Sequence, residues 1–517
     1  MNATRGGQLA FERAGPMLAA VLAVAVMIRW LAYTGFFGSD EVTYTHAAFR
    51  IVDGDWRVDE YVGANRLGVN LPVAALGWAF GKSEFSAALW SLMTSTLEVG
   101  LVAWIGARMF GVRAGAIAGL LLATLPSHVH FGGRLMADAP LCAAITAAFV
   151  MFYVAETRRW PLGFFLAGVC AGLAFWVKPA VVFVFGIFLA YPLVARRWDW
   201  HWLWMGAGLF AAIAANGLVF LALTGDFLFT FNVTRDRSAS GFLEEGVAAG
   251  QIAVEPFFYL TYMFGKVYHT GLVGLLWLLA AVIWWRRGRP EEVAPGRFLL
   301  FWGVGLWAIL SLLPVSFSPL IFVPKQTNYM LIFVAPLCVM AGYGLSRLSS
   351  RLQVAGTTAA CAIGVGFALL LQANVAVFTA NSWATLEFVD RTPQGRIAVM
   401  SNAYRAATFR HVLGGPDVSA RIMPLGDFDA AGAEHVVIDP QTFDWDRSVT
   451  FRDPSALPVC WVRQEELTGQ PAGYGAMLAR TVLALLPGSD PFGIATRLRS
   501  LTVPNPAVVY RVPTAGC

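Results

Sequence analysis

Apolar stretches about as long as the 20 residues that a helix needs to cross a bilayer recur along this chain of 517 residues. Only 13% of the residues are charged and 57% are hydrophobic, whereas a soluble protein has about 25% charged residues. The sequence therefore predicts a polytopic α-helical membrane protein and argues against a soluble globular one.

The apolar pattern predicts about 11 transmembrane helices. They lie roughly at 15–35, 85–106, 112–128, 138–156, 161–177, 179–195, 202–223, 268–285, 298–314, 328–346 and 355–376. Each is close to the length that the hydrocarbon core requires.

Arginines set the predicted orientation. They precede the first span and then fill alternate connections, at Arg5, Arg13, Arg108, Arg113, Arg158, Arg159, Arg196, Arg197, Arg286, Arg287, Arg289, Arg297, Arg347 and Arg351. With eleven spans, all of these connections fall on one side, which the positive-inside rule makes cytoplasmic. We therefore predict a multi-pass protein of the cytoplasmic (inner) membrane. Because the net charge of +5 reflects these connections, we expect no nucleic-acid partner.

The long connections lie on the opposite, extracytoplasmic side. They are the loop 36–84, whose apolar positions predict short interfacial helices, the connection 225–267, and the C-terminal residues 377–517. In the C-terminal part we predict strands at 396–400, 435–439, 459–462 and 507–512, and a helix at 475–486. The predicted domains are thus a transmembrane domain at 1–376 and a small extracytoplasmic α/β domain at 377–517. In that compartment Cys460 and Cys517 could form a disulfide.

Unusual polar residues gather on the extracytoplasmic face. The acidic and aromatic ones are Asp40, Glu41, Tyr44, Asp138, Asp226 and Tyr329, and the basic ones are Arg66, Arg134, Lys178 and Lys325. Ionisable groups at the edge of an otherwise apolar chain are functional candidates. Carboxylates suit base catalysis or divalent-metal binding, and cations suit a phosphate group.

Five motifs occur in order along residues 15–375: the acidic pair Asp40-Glu41, GRLMADAPL at 133–141, GLAFWVKPA at 172–180, LTGDFLF at 223–229, and PKQTNYMLIFVAPLCVMAGYGL at 324–345. Together they resemble the membrane glycosyltransferases of GT-C fold, and within them the group of protein mannosyltransferases and aminoarabinose transferases. The resemblance implies a GT-C-like transmembrane domain that carries the active site.

The resemblance also implies a reaction. A sugar would pass from a polyprenyl-phosphate donor to a lipid, glycan or protein acceptor at the outer face of the membrane, with inversion at the anomeric carbon. Asp40 matches the family's catalytic acidic residue and would accept the proton of the acceptor hydroxyl, and Glu41 completes the motif. Asp138 matches the second acidic position, where it would orient the acceptor or hold a divalent cation. That cation is the one cofactor considered, with Asp40 as its other candidate ligand.

The remaining candidates concern the donor and the substrate cavity. Lys325, Lys178, Arg66 and Arg134 could stabilise the charge that grows on the leaving phosphate. Tyr44, Tyr329 and Asp226 are candidates to line the substrate site. The family often has Arg beside the Tyr of the tenth span, where this chain has Asn328.

Each of these residues also has a structural interpretation. Asp40 and Glu41 could stabilise the start of a helix, and Asp138 could be an N-cap ahead of Pro140. Lys178 could extend its ammonium to the lipid headgroups. Arg29 and Glu98, inside the first two spans, are expected to pair with each other or to line a cavity. His128 and His130 are two positions apart, so joint metal ligation on a helix is not expected.

Two other function classes fit a chain of this composition. A non-catalytic transporter or flippase of lipid-linked sugars would also carry charges within the membrane. Such a protein usually shows repeated halves and helices broken near the bilayer midplane, and the sequence shows no repeat. The other class is a binding or assembly subunit that has kept the fold without activity, which the intact Asp40-Glu41 pair disfavours.

Overall fold

The computed structural model describes residues 2–513 except for 60, 240–245, 248–249, 251, 318–319, 393–394, 425–431, 443–456, 487–489 and 491–492. The protein is mostly helical. It forms two compact units that each combine distant parts of the chain. The first unit consists of Met1–Trp30, Gly54–Val73 and Ala88–Ala368, and the second of Leu31–Asp53, Ala74–Ala87 and Leu369–Cys517.

The N-terminal helices are α1 (Asn2–Leu31), α2 (Asp40–Val52), α3 (Leu67–Phe80), α4 (Glu84–Phe110), α5 (Val112–Ala123), α6 (Pro126–Gly132), α7 (Asp138–Arg158), α8 (Pro161–Val177), α9 (Tyr191–Ala195), α10 (Leu203–Thr224) and α11 (Phe229–Ala239). Short helices therefore do form within the loop 36–84, as predicted. The chain also contains 3₁₀ helices at Val62–Asn65, Pro179–Ala190, Trp200–Trp202 and Thr327–Met330.

The later helices are α12 (Phe258–Gly265), α13 (Val267–Thr270), α14 (Val273–Arg287), α15 (Pro290–Leu312), α16 (Leu331–Ser346), α17 (Ser350–Arg391), α18 (Ala403–Val412), α19 (Tyr474–Leu485) and α20 (Ile494–Ser500). The strands are β1 (Pro314–Phe317), β2 (Leu320–Phe322), β3 (Ile397–Met400), β4 (Ile422–Pro424), β5 (His435–Ile438), β6 (Val462–Leu467) and β7 (Ala507–Arg511).

Within the described residues, six helical segments are long and apolar enough to cross a bilayer, or seven if a bent pair counts as one span. The protein is thus a multi-pass membrane protein, and the larger count of about 11 spans stays a prediction. The difference lies in shorter apolar helices, among them Pro161–Val177 and Pro179–Ala195. The second of these is mainly a 3₁₀ helix, a conformation that the apolar pattern did not indicate.

The bent pair consists of α5 and α6, which meet at an angle of 63°. Pro126 is the first residue of α6, and the preceding Leu125 is extended, with φ −64° and ψ 119°. Steric contact with the proline ring disfavours the α region for the preceding residue, and because Leu125 is extended the helix ends there and restarts in a new direction.

Helices α8 and α10 pack closely in the first unit through small residues. A Cβ atom on Gly168 would lie 2.0 Å from the carbonyl oxygen of Met205, and one on Gly208 would lie 2.0 Å from that of Phe165. Such close backbone approach is typical of helix pairs in membranes. On its other face α10 exposes Phe210 (72% exposed), as expected of a surface that contacts lipid.

The second unit contains a five-stranded sheet in the order β4-β3-β5-β7-β6. Strands β3, β4 and β5 are parallel, and β7 is antiparallel to β5 and β6. Helix α18 follows β3 in the chain, and its Phe409 shares a buried core with Val399, Val437 and Phe36. Residues 31–53, which the sequence analysis assigned to the transmembrane domain, thus contribute to the core of this unit.

One predicted strand is misplaced. Residues 459–460 form a turn, and β6 begins only at Val462. Val459 is fully exposed, so its apolar character did not indicate a buried strand position. Cys460 in that turn is disulfide-bonded, whereas Cys517 lies outside the described residues.

Candidate active site

The predicted base lies at the start of α2, in the second unit. Asp40 is the first residue of the helix, and its carboxylate oxygen Oδ2 accepts a hydrogen bond of 3.1 Å from the hydroxyl of Tyr44, one turn later. Tyr44 is fully buried, so it presents the hydroxyl from a fixed position. Acidic side chains are common in the first turn of a helix, where they face the partial positive charge of the helix N-terminus.

Glu41 has a different environment from Asp40. It is buried, and its Oε1 accepts hydrogen bonds of 2.6 Å from the backbone N–H groups of both Phe37 and Gly38. The Glu41 carboxylate therefore holds the loop that leads into α2. Glu41 therefore has a structural role in this loop. The sequence alone left open whether the acidic pair has a structural or a catalytic role.

A second cluster lies in the first unit, where three helix ends meet. Asp138 is the first residue of α7, Lys178 follows the last residue of α8, and Asn328 and Tyr329 belong to the 3₁₀ turn that leads into α16. Asn328 Nδ2 donates to Asp138 Oδ1 over 2.7 Å, and Lys178 Nζ lies 3.7 Å from the same oxygen.

The carboxylate at the centre of the cluster is buried, whereas Lys178, Asn328 and Tyr329 are partly exposed. Asp138 is 2% exposed, and the Lys178 ammonium also lies 4.4 Å from the centre of the Tyr329 ring. A buried carboxylate needs a compensating charge and hydrogen-bond donors, and Lys178 and Asn328 supply both. The structure thus brings together three predicted site residues, Asp138, Lys178 and Tyr329, and adds Asn328, which the sequence analysis noted as a departure from the family pattern.

Comparison with known proteins gives a consistent result. Residues 59–236 match the family model described as dolichyl-phosphate-mannose-protein mannosyltransferase. Over 360 residues the chain is 25% identical to an undecaprenyl phosphate-alpha-4-amino-4-deoxy-L-arabinose arabinosyl transferase of Edwardsiella ictaluri. That alignment covers 65% of this chain and 60% of the curated relative, so the chain spans less than two thirds of the relative's length.

One solved structure supports the fold. An oligosaccharyltransferase of Archaeoglobus fulgidus, tethered to an acceptor peptide, superposes with a TM-score of 0.52 at 13% identity, over 82% of this chain and 69% of that one. ArnT of Cupriavidus metallidurans superposes with a TM-score of 0.49 at 18% identity, over 86% and 94% of the two chains. The chain resembles the membrane glycosyltransferases of GT-C fold. The resemblance predicted from the five motifs is thereby confirmed.

The match to the mannosyltransferase family model covers the second cluster only in part. It contains Asp138 and Lys178, but it ends before Asn328 and begins after Asp40. The role of Asp40 in a GT-C active site therefore stays a prediction from its motif and its place at the start of α2.

The three other predicted phosphate ligands lie in separate surroundings within the first unit. Arg134 is buried beside His130, with 3.3 Å between Nη1 and Nε2. Arg66 lines a small surface cleft, with room for about one water molecule, together with Pro179 and Thr230.

Lys325 is buried and is bound to the backbone. Its Nζ donates to the carbonyl oxygens of Leu310 (2.9 Å) and Val323 (2.6 Å). Burial lowers the pKa of the Lys325 ammonium to about 8, an effect that the nearby Glu255 partly opposes. The Lys325 ammonium therefore loses its proton at a pH only slightly above neutral.

Asp226 has partners within its own segment. Its Oδ1 accepts from the backbone N–H of Leu228 (2.8 Å) and its Oδ2 from Asn232 Nδ2 (2.9 Å). These bonds fix the turn between α10 and α11, so both carboxylate oxygens have structural contacts. The role of Asp226 in lining the substrate site stays a prediction.

The charges inside the first two spans form a network that includes a third residue. Glu98 Oε2 lies 3.0 Å from His128 Nε2, and Arg29 Nη2 lies 2.9 Å from His128 Nδ1. Because Arg29 can only donate, Nδ1 accepts and Nε2 carries the hydrogen that points to Glu98. Thr146 donates to the other Glu98 oxygen over 2.8 Å. Arg29 and Glu98 are thus joined through His128, and the sequence interpretation missed this bridge.

The part of the chain that the structure describes contains no group of three His, Cys, Asp or Glu side chains that could hold a metal ion. At Asp138 the Lys178 ammonium already lies where a cation would compensate the carboxylate charge. A divalent cation at that residue would meet electrostatic repulsion from Lys178. The predicted cation at Asp40 or Asp138 stays a prediction.

Proposed function

We propose that this protein is a glycosyltransferase that moves a sugar from a polyprenyl-phosphate donor to a lipid, glycan or protein acceptor. The family match over residues 59–236 carries this proposal. It contains the buried Asp138 and Lys178, whose carboxylate oxygen and ammonium lie 3.7 Å apart. The names of the family model and of the Edwardsiella relative both specify a sugar carried on a polyprenyl phosphate, which supports that donor class.

In the proposed reaction, the acceptor hydroxyl attacks the anomeric carbon of the donor in one displacement. The new carbon–oxygen bond forms as the bond to the phosphate oxygen breaks, so the configuration inverts. The electron pair of the broken bond stays on the phosphate, and the hydroxyl proton passes to the Asp40 carboxylate. The Tyr44 hydroxyl, 3.1 Å from Asp40 Oδ2, fixes the orientation of that carboxylate.

Cations near the leaving phosphate would stabilise its growing negative charge. Lys178 is the favoured candidate, because its ammonium is held between Asp138 and the Tyr329 ring. Arg134 and Lys325 remain further candidates. Asp138 would orient the acceptor, or the donor sugar, through its hydrogen-bonded carboxylate.

The proposed topology follows from the arginine pattern. About 11 spans place the basic connections in the cytoplasm and leave Asp40, Asp138 and residues 377–517 on the extracytoplasmic side of the inner membrane. In this arrangement the C-terminal α/β domain and the loop 36–84 face the compartment where the acceptor is available.

The test is transfer of a radiolabelled sugar by the purified protein in detergent, with a panel of polyprenyl-phosphate sugars as donors. Wild type is compared with Asp40→Asn and with Asp55→Asn, which removes a carboxylate in the same loop that pairs with Arg57 on the surface. We expect transfer in the wild type and in Asp55→Asn, and a loss of at least about 10²-fold in Asp40→Asn. Parallel reactions with Mg²⁺ or a chelator test the divalent cation.

Two results would contradict the proposal. The first is the absence of transfer from any donor in the panel, combined with movement of labelled donor across proteoliposome membranes, which would indicate a transporter. The second is equal transfer by the wild type and Asp40→Asn at equal protein levels, which would remove Asp40 as the base.

A further inference from the structure

The two residues before Ser39, at the entrance to α2, have all of their backbone polar groups bonded within the second unit. The N–H groups of Phe37 and Gly38 both donate to Glu41 Oε1. The carbonyl oxygen of Phe37 accepts from Asn402 Nδ2 over 2.7 Å, and that of Gly38 accepts from Arg405 Nη1 over 2.7 Å. Asn402 precedes α18 and Arg405 lies in its first turn, so this helix binds the loop directly.

Aromatic contacts hold the same loop from its sides. Phe36 is buried in the core of the second unit, with its ring centroid 5.1 Å from that of Trp383 and 5.2 Å from that of Phe409. The Phe37 ring stacks on Phe378 at 4.7 Å. The loop is therefore fixed by side chains from α17 and α18 as well as by hydrogen bonds.

The fit between the loop and Asn402 is tight. Gly38 has φ +87°, a conformation that residues with a side chain rarely adopt. A Cβ atom at this position would lie 1.7 Å from Asn402 Nδ2. Only glycine permits both the turn and the contact with Asn402.

We propose that Asn402 and Arg405 are positioning residues for the candidate base Asp40, and that Glu41 serves the same purpose from within α2. The Ser39 side chain makes no capping hydrogen bond to the helix. The direction in which α2 leaves the loop, and hence the direction of Asp40, therefore depends on the bonds to Phe37 and Gly38. In this inference, which rests on the proposed function, the C-terminal part of the chain completes the active site.

The expected effect is on the rate of the chemical step rather than on donor binding. A shift of about 1 Å in a reacting group can lower the rate about 10²-fold. Removal of one of the two bonds from α18 leaves the aromatic contacts in place, so the protein should still fold. We therefore expect kcat to fall roughly 10- to 100-fold, while KM for the donor changes by less than about threefold.

The experiment compares Asn402→Ala, Arg405→Ala and the double variant with a control on the same helix. The control is Arg410→Ala, because Arg410 lies on the same helix and its guanidinium pairs with Asp390 of α17. Kinetics with the donor identified for the wild type are combined with hydrogen exchange of the peptide that contains residues 36–41. All three test variants should lower kcat and speed exchange in this peptide, whereas Arg410→Ala should change neither.

Arg405→Lys provides a further check, because lysine can still donate one hydrogen bond to the Gly38 carbonyl. It should recover part of the activity that Arg405→Ala loses. Two controls test for general loss of structure. A misfolded variant would unfold at a lower temperature, and its hydrogen exchange would be faster throughout the second unit.

Unchanged kcat together with unchanged exchange in Asn402→Ala/Arg405→Ala would overturn the inference. Faster exchange with unchanged kcat would also overturn it, because the loop would then be held without consequence for catalysis. If the wild type transfers no sugar, the proposed function fails. In that case the exchange measurement still decides separately whether Asn402 and Arg405 hold the loop.

Discussion

Asn328 Nδ2 donates a 2.7 Å hydrogen bond to the carboxylate of Asp138, although 190 positions separate the two residues. The bond joins the start of α7 to the turn before α16, at the point where Lys178 ends α8. The family often has Arg beside the Tyr at this place. Here the neutral Asn328 leaves Lys178 as the cation closest to Asp138 among the described residues.

The first prediction concerns the coupling between Asp138 and Lys178. Lys178→Met should lower kcat/KM by about 10- to 100-fold and destabilise the protein, because it leaves a buried carboxylate without its cation. Asp138→Asn should have a comparable effect. A double-mutant cycle should show a coupling energy of about 0.5–3 kcal/mol. The cycle is calculated once from kcat/KM and once from the free energy of unfolding. Strictly additive effects would mean that the 3.7 Å pair has no energetic role.

The second prediction concerns Gly38. Gly38→Ala should lower the unfolding temperature and abolish most transfer, because alanine is strained at φ +87° and its Cβ would collide with Asn402. In the double variant Gly38→Ala/Asn402→Gly the collision disappears and the strain remains, so stability should be regained only in part. Gly54→Ala, at φ +83° with open space around it, is the matched control for strain alone. If Gly38→Ala behaved like Gly54→Ala, the contact with Asn402 would be unimportant.

The sequence predicted those parts of the fold that depend on local patterns. Long apolar runs gave helices such as Asp138–Arg158, and β-branched runs gave β3, β5 and β7 near their predicted positions. The segment 179–195 was predicted as a regular span and is mainly a 3₁₀ helix. Apolar composition reports burial, and it does not distinguish the two helix types when every position is apolar.

From the sequence we could predict which residues are candidates for the site, but not the contacts that hold them in place. The sequence indicated Asp40, Asp138 and Lys178, because charges are rare in this chain. It did not indicate that Asn402 would bind the backbone at Phe37, 365 positions away. A side chain that bonds to a backbone carbonyl leaves no pattern in the sequence around it. The bridge that His128 makes between Arg29 and Glu98 was missed for a similar reason, since all three lie on different helices.

The third prediction concerns Asp439, at the end of β5. Burial raises the pKa of its carboxyl group to about 6, although hydrogen bonds from Asn381, the Gln441 backbone and Thr442 oppose this shift. The folded state therefore binds the proton more tightly than the unfolded state, whose pKa is about 3.8. The favourable contribution is present below that value and is lost as the pH rises towards 6, a difference of about 3 kcal/mol at most.

Asp439→Asn should remove this dependence, because an amide has no charge and its oxygen can still accept from Asn381. The variant should unfold at a higher temperature than the wild type above pH 6, and the difference should shrink towards pH 4. Asp417→Asn, at an exposed carboxylate, is the control and should not raise the unfolding temperature above pH 6. A constant difference between Asp439→Asn and wild type across this range would contradict the raised pKa.

The fourth prediction concerns Lys325 and the donor phosphate. Its ammonium is charged below its pKa of about 8 and neutral above it. A phosphodiester donor keeps its single negative charge throughout this range. If Lys325 stabilises the donor, KM should rise as the pH passes 8, and in Lys325→Arg the rise should disappear because a guanidinium stays charged.

The measurement is KM for the donor from pH 6.5 to 9.5, with Lys82→Arg as the control, since Lys82 pairs with Asp53 near the surface. A flat profile in the wild type would leave Lys325 with only its contacts to the Leu310 and Val323 carbonyls, and Lys178 would then be the preferred phosphate ligand.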